Sequence, residues 1–440
     1  MSDSLQAAAR AFRASIFHLR DDPGPAGDPR AAEFLDDGLL VVEAGRVAQL
    51  GHYASLAPGL AAGTPVEDLR GKWIVPGFVD THVHSAQLAV IASPGEQLLA
   101  WLERYTFPEE GRFGDPAYAR VMAEAFLEEL LRNGTTTAVV FPTVHEGAAD
   151  ALFAAAHALD MRLIAGKVLM DRNCPEFLRD TPEAGYEASL RLIERWHRRG
   201  RLAYAVTPRF AATSSERQLE LAGRLYREHP GLYLQSHVAE NLDEVRWVGE
   251  LFPAARSYLD VYDRFGLLGP RAVYAHCIHL DRADRERLAA SGAAMAFCPT
   301  SNLFLGSGLF DRAAARAAGA HVAIGTDVGG GTSFSMLRTL AEGYKALQLQ
   351  GQPLSSLEAF YLATLGAARA LELDRVIGNL APGKEADFVV LDPSATPLLE
   401  RRFARAADLA ERLFVLLMLG DDRAVSETYL LGRRVHRRDR

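Results

Sequence analysis

Apolar positions along the chain follow two different rhythms. Near the start they come in short runs. Residues 12–19 are apolar and rich in β-favouring side chains. Runs at 39–42 and 47–50 flank the turn Ala44-Gly45-Arg46, which predicts a hairpin. Residues 21–28, with prolines and glycines, read as a loop. From Trp73 onward short apolar runs alternate with longer stretches of helical period. Runs at 74–79, 135–141, 162–169, 202–206, 233–236, 272–275, 293–297 and 322–325 predict eight strands. Helices are predicted between them at 118–131, 149–159, 184–198, 215–228, 281–290 and 311–317. Strands alternating with helices predict a parallel sheet, and eight such units fit an α/β architecture, the closed (β/α)8 TIM barrel. A further helical region at 335–372 follows, and short strands return at 386–391 and 428–431. The two ends resemble each other more than the middle. The expected organisation is a small composite β domain from residues 1–75 together with 376–440, beside a barrel over 76–375.

Composition narrows the class. With 49 % hydrophobic and 24 % charged residues the 440-residue chain is a globular protein, not a disordered one. Net charge is 48 − 56 = −8, which argues against nucleic acid as a partner. The basic ending (Arg433, Arg434, Arg437, Arg438, Arg440) reads as a solvated terminus rather than an anion-binding tail. Three cysteines without a CxxC exclude a disulfide scaffold and favour a reducing, cytoplasmic setting. The first twenty residues lack an apolar core of the secretory kind, and no uncharged apolar stretch reaches about 18 residues, so neither a signal peptide nor a membrane span is expected.

The candidate chemistry gathers at predicted strand ends. Asp80-Thr81-His82-Val83-His84 follows the first barrel strand. Residues two apart on a strand share a face, so His82 and His84 would both point toward the barrel axis at the end where such barrels build their sites. A histidine pair alone is a weak signal. Here His237 follows the fifth strand, with Glu240 three residues on; His276 follows the sixth and Asp327 the eighth. Ligand-type residues ending four barrel strands predict a metal centre. Competing signatures are absent: no HExxH, no H-x-E…P-C-x-x-C. Gly329-Gly330-Gly331 lacks the spacing of a phosphate loop and reads as the turn after Asp327. His145, His157, His197, His229 and His321 read as surface residues, His279 as structural, and Cys277 and Cys298 as small core residues.

These residues resemble the amidohydrolase superfamily and, within it, the guanine-deaminating branch. The resemblance covers roughly residues 10–435. It rests on 76–87 (PGFVDTHVHSAQ), 98–110 (LLAWLERYTFPEE), 134–137, 166–173 (GKVLMDRN), 206–210 (VTPRF), 235–244 (QSHVAENLDE), 275–277, 298–308 (CPTSNLFLGSG) and 325–330 (GTDVGG). Ser85-Ala86 departs from the family pattern but leaves Gln87 in register. The resemblance implies one zinc per subunit, held by His82, His84, His237 and Asp327, with His276 ligating it or hydrogen-bonding its water. That water would attack C2 of guanine, giving xanthine and ammonia. Glu240 would carry a proton to the ring nitrogen and help ammonia leave, and Asp327 would take a proton from the water. Gln87 and Arg209 would hydrogen-bond the purine edges, Arg209 at the 6-oxo group, with Phe210 against the ring. His84, His237, Glu240 and Asp327 would also touch the substrate. For Arg209 the competing reading is a structural salt bridge, for Gln87 a surface amide, for Phe210 core packing. Trp101, Tyr105 and Phe107 are available either to cover the pocket or to pack helices. Two-metal relatives carry a lysine at the end of strand four. Here that strand leads into Thr207-Pro208-Arg209-Phe210, and Lys167, within strand three, reads as structural, so one metal is expected. The family also implies a homodimer. The alternatives are a related amidohydrolase that deaminates or dechlorinates another aromatic heterocycle, and a metal-free scaffold on the same barrel.

Overall fold

The computed structural model describes residues 9–95 and 97–439. Two sheets organise it. The first takes strands from both ends of the chain: β1 (Arg10–Leu19), β2 (Ala32–Glu43), β3 (Arg46–His52) and β4 (Val66–Pro76) from the first part, with three late strands introduced below. The hairpin between β2 and β3 forms where expected, with Ala44 (φ 48°) and Gly45 (φ 76°) both left-handed at its turn.

The second sheet is the barrel. Its strands are β5 (Phe78–His84), β6 (Thr135–Phe141), β7 (Arg162–Ala165), the two-residue β8 (Val168–Leu169), β9 (Leu202–Pro208), β10 (Tyr233–Val238), β11 (Ala272–His276), β12 (Ala294–Phe297) and β13 (His321–Ile324). Eight of them pair in the order β13-β12-β11-β10-β9-β7-β6-β5, and β8 pairs with β9. Every pairing between them is parallel. The ring closes at its mouth, where Asp327 N donates to His82 O and His84 N donates to Val328 O, each at 2.8 Å. Val79, Val139, Ile164, Ala205, Val273 and Ala323, from six different strands, form one buried cluster inside the ring. Their neighbours Ala138, Val140, Leu163, Ala165 and Val206 pack instead with the surrounding helices. The alternation of a two-sided buried strand is thus kept.

The sheet from the chain ends is completed by β14 (Phe388–Leu391), β15 (Val425–Leu430) and β16 (Arg433–Arg437), giving the order β16-β15-β14-β4-β1-β2-β3. Buried ion pairs tie it to the barrel: Arg162 to Glu385 at 2.6 Å, and Arg201 to Glu385 at 3.0 Å and to Asp387.

Four expectations need correction. The run at 74–79 is not one barrel strand. Its first half ends β4, and the barrel begins only at Phe78. The break falls at Pro76-Gly77, where a Cβ on Gly77 would lie 2.0 Å from Thr136 Oγ1, so only glycine lets the chain cross from one sheet to the other. The run at 162–169 is likewise split, because Gly166 sits so close to the Ala205 carbonyl that a Cβ would approach it to 1.7 Å. The C-terminal part is not all β. It holds helices Pro397–Phe403 and Leu409–Leu419, capped by Thr396 and Asp408. Finally, the basic ending forms the edge strand β16 and is paired. Arg434 reaches Glu67 (3.4 Å) and Glu427 (3.5 Å), and Arg438 reaches Asp392 (2.9 Å). Arg440 lies outside the described residues.

Candidate active site

The site is built where β5, β10, β11 and β13 end. Strand β5 slips in register against β6 between Asp80 and Val83. Such a bulge re-aims the residues beyond it. It lets Val79 fill the barrel interior while His82 and His84, at odd spacing from it, also turn inward. Asp80 and Thr81 then sew β5 to the end of β13. Asp80 accepts hydrogen bonds from Thr326 N (3.0 Å), His82 N (3.2 Å) and Thr326 Oγ1, and Thr81 Oγ1 donates to Ile324 O at 2.8 Å. Gly325 makes the approach possible, since a Cβ there would meet His82 Cβ at 2.8 Å. Asp327 is thereby set over the two histidines. In the glycine run that follows, a Cβ on Gly331 would lie 1.8 Å from Thr326 O. These glycines serve a tight turn, as expected.

Four donor atoms converge. His84 Nε2 lies 3.3 Å from His82 Nε2, 3.2 Å from His237 Nε2 and 3.2 Å from Asp327 Oδ1, and His82 Nε2 is 3.1 Å from the same oxygen. His237 Nδ1 pairs with the Arg209 carbonyl at 2.7 Å. A carbonyl only accepts, so Nδ1 carries the proton and Nε2 presents a bare lone pair to the cluster. An imidazole nitrogen without its proton offers its neighbours only a lone pair. Tetrahedral donors ~2.0–2.1 Å from a zinc-type ion stand about 3.3 Å apart, the spacing these four show. The donor set therefore fits a metal ion. Its electrostatics agree: burial pushes His84 down to about 4 and lowers His82, and burial plus the neighbouring imidazoles take His237 well below its ordinary value. For Asp327 burial pushes upward, but the surrounding histidines carry its carboxyl well below the usual range. Three neutral imidazoles and an ionised carboxylate are what a cation takes.

His276 stands apart from this quartet. Its Nε2 is 3.7 Å from Asp327 Oδ2 and 3.3 Å from Glu240 Oε2, while Nδ1 is held by Asn302 Oδ1 at 2.9 Å. It joins Cys298 and Asp327 in a second, looser set of potential ligands. Cys298 is buried, its Sγ turned to Ala296 O at 3.4 Å. Glu240 is placed by a helix start. Asn241 caps helix Leu242–Leu251 in a reciprocal capping box with Glu244, whose Oε2 also accepts from Glu240 N at 2.9 Å. Ser307 Oγ donates to Glu240 Oε1 at 3.0 Å, and His279, as expected, is structural: its Nε2 bonds Ser307 O at 2.9 Å. Burial, then the charge of Asp327, pushes the Glu240 carboxyl up to about 8.

Above these groups lies a pocket of about 420 Å³. His84, Gln87, Arg209, Phe210, His237, Glu240, His276 and Asp327 all line it, while His82 is buried and is not part of the lining. The apolar wall is Leu98, Trp101, Leu102 and Leu305. Trp101 therefore covers the pocket. Phe107 lies 5.3 Å from the Arg209 guanidinium carbon, and Tyr105 packs in the neighbouring apolar cluster. Gln87 is 3 % exposed, so it is no surface amide. Arg209 does make a buried ion pair, to Glu110 at 2.6 Å, and still borders the pocket. Lys167 is structural: it bonds Val168 O (3.1 Å) and pairs with Asp180. Glu110, Ser307, Asn302 and Asp80 stand inside the motifs quoted for the resemblance, but sequence reasoning gave them no role. For the placing of Glu240, the Asn241…Glu244 capping box had a readable local signal.

Comparison with known proteins follows the same lines. The family model described as "Amidohydrolase family" matches residues 73–435. The chain is 51 % identical to the guanine deaminase of Escherichia coli strain K12 over 98 % of each protein, and the solved E. coli structure superposes with a TM-score of 0.96. A guanine deaminase structure from Bradyrhizobium japonicum matches at 37 % identity and TM-score 0.95, covering 98 % of this chain and all of that one. A guanine deaminase structure from C. acetobutylicum with guanine bound in its active site matches at 28 % identity and TM-score 0.87, covering 97 % and 100 %.

Proposed function

The chain belongs to the amidohydrolase family, its reaction is the hydrolytic deamination of guanine to xanthine and ammonia, and we propose the following division of that work among its residues. The observation that carries the proposal is one pocket lined at once by three of the four metal-type donors (His84, His237 and Asp327), Glu240 and the pair Gln87–Arg209.

His82, His84, His237 and Asp327 hold one zinc per subunit. When bound, zinc supplies a Lewis acid that makes hydroxide available near neutral pH. Asp327, kept ionised, takes a proton from the attacking water as oxygen bonds to C2. Glu240, holding its proton at neutral pH, gives it to the adjacent ring nitrogen. Asp327 then passes its proton to the amino group. The C2–N bond breaks, ammonia leaves, and Glu240 recovers a proton from the new hydroxyl as the carbonyl forms. Water and guanine go in, xanthine and ammonia come out, and both carboxyl groups end as they began. His276, with Asn302 on Nδ1, presents Nε2 to Glu240 and orients its acidic oxygen. Gln87 and Arg209 hold the purine edges. Phe210 and Trp101 exclude water from its faces.

The reaction is tested by incubating zinc-loaded protein with guanine and following the loss of guanine absorbance together with ammonia release. Adenine, cytosine and guanosine serve as controls. Turnover of guanine alone is expected; full zinc occupancy with no guanine turnover would move the substrate to another aminated heterocycle. The ligand assignment has its own check. His237→Ala removes one of four converging donors and is expected to leave the purified protein with well under one zinc per chain. Normal zinc content by elemental analysis would take His237 out of the ligand set.

A further inference from the structure

Glu110 is wholly buried, and its two oxygens are divided between the two side chains assigned to the purine edges. Oε1 accepts from Gln87 Nε2 at 3.1 Å, and Oε2 accepts from Arg209 Nη1 at 2.6 Å. The far side of the Gln87 amide is fixed as well, because Oε1 accepts from Gly329 N at 3.1 Å. A carboxylate paired with arginine only accepts, and a backbone N–H only donates. The amide can therefore stand only one way round, with NH2 toward Glu110 and C=O toward Gly329. What Gln87 has left for the pocket is its second N–H, besides one lone pair on an oxygen already engaged by Gly329 N. Arg209 never offers anything but N–H groups.

We infer that Glu110 is a positioning residue that keeps N–H groups of Gln87 and Arg209 at this wall of the pocket, and so sets the preference for an oxo over an amino group at the ring position facing it. The inference rests on the reading that Gln87 and Arg209 meet the purine. An oxo group offers lone pairs to such a wall. An amino group would leave donor facing donor, with both desolvated and unpaired, the situation in which a built site rejects a near-isostere most strongly. Without Glu110 the Gln87 amide is held by Gly329 N alone and Arg209 loses its tether, so the discrimination weakens from both side chains.

Two purines without the 2-amino leaving group isolate recognition from chemistry: hypoxanthine (6-oxo) and adenine (6-amino), used as competitive inhibitors of guanine turnover. In the parent protein, Ki for adenine is expected to exceed Ki for hypoxanthine by about 10²-fold or more. In Glu110→Gln that ratio is expected to shrink at least about tenfold, with KM for guanine rising by a larger factor than kcat falls. A purely structural role would lower activity without changing the Ki ratio, and that result overturns the inference. A Ki ratio near one in the parent rules out a donor-lined wall and overturns the inference without any variant. If Glu110→Gln does not fold, Gln87→Glu, which puts an acceptor in place of the N–H, is expected to shrink the ratio likewise. Absence of ammonia release from guanine by the zinc-loaded parent is a different failure, that of the reaction itself.

Discussion

Replacing Glu240 by glutamine is expected to leave zinc content and KM for guanine within a few-fold of the parent while lowering kcat by about 10²–10⁴-fold, the range for losing a positioned acid or base. Glutamine copies the shape of the neutral acid, and burial together with Asp327 keeps the parent carboxyl neutral at pH 7 by pushing it up to about 8. The amide can still accept from Ser307 Oγ, which holds Oε1 at 3.0 Å in the parent. It cannot deliver a proton to a ring nitrogen or take one back. The four converging donor atoms are untouched, since Glu240 is not among them. Elemental analysis and steady-state kinetics on the same preparation check both halves. A kcat within threefold of the parent would remove Glu240 from the proton path, and loss of zinc would recast it as part of the metal's support.

The residues gathered at the mouth were legible because they obey one geometric rule: strand ends of a parallel barrel point at one mouth, so the convergence of His82, His237, His276 and Asp327 could be expected from position alone. The bulge in β5 was not legible. Simple alternation brings His82 and His84 to the axis, but only the register slip reconciles that with Val79 inside the barrel. The separation of His276 from the quartet was also out of reach, because it depends on differences in distance of under 1 Å that backbone periodicity does not carry. The same holds for Glu110, which is 99 residues from Arg209 in sequence and meets it only after the segment 98–110 folds over the mouth. The break at Pro76-Gly77 had a visible cause in the two residues themselves, yet an unbroken apolar run masks it: both halves are fully buried strands, and such strands show no alternation to betray a change of sheet. The late helices Pro397–Phe403 and Leu409–Leu419 were hidden by neighbouring strand-like runs, although Thr396 and Asp408 are ordinary helix-capping residues.

Arg209→Met carries a second large effect and is the sharper test of recognition, because the structure gives this arginine two jobs. Toward the pocket it supplies donors to the purine; away from it, Nη1 neutralises Glu110, which is fully buried. Losing one charge-assisted hydrogen bond to guanine should lower kcat/KM by about 10²-fold, and losing a bidentate pair by about 10⁴-fold. Leaving Glu110 buried without its partner should also destabilise the fold, by ~3–5 kcal/mol. The two effects can be separated by a paired variant. Arg209→Met with Glu110→Gln removes the stranded charge, so denaturant unfolding should recover most of the lost stability. It restores no donor to the purine edge, so kcat/KM for guanine should stay low. Recovery of stability with kcat/KM well below that of Glu110→Gln alone assigns Arg209 to the substrate. If both return together, the arginine serves the fold through Glu110 and the purine edge is read by Gln87 and the backbone around it. If neither changes from the single variant, the pair at 2.6 Å contributes little to stability and the recognition effect stands alone.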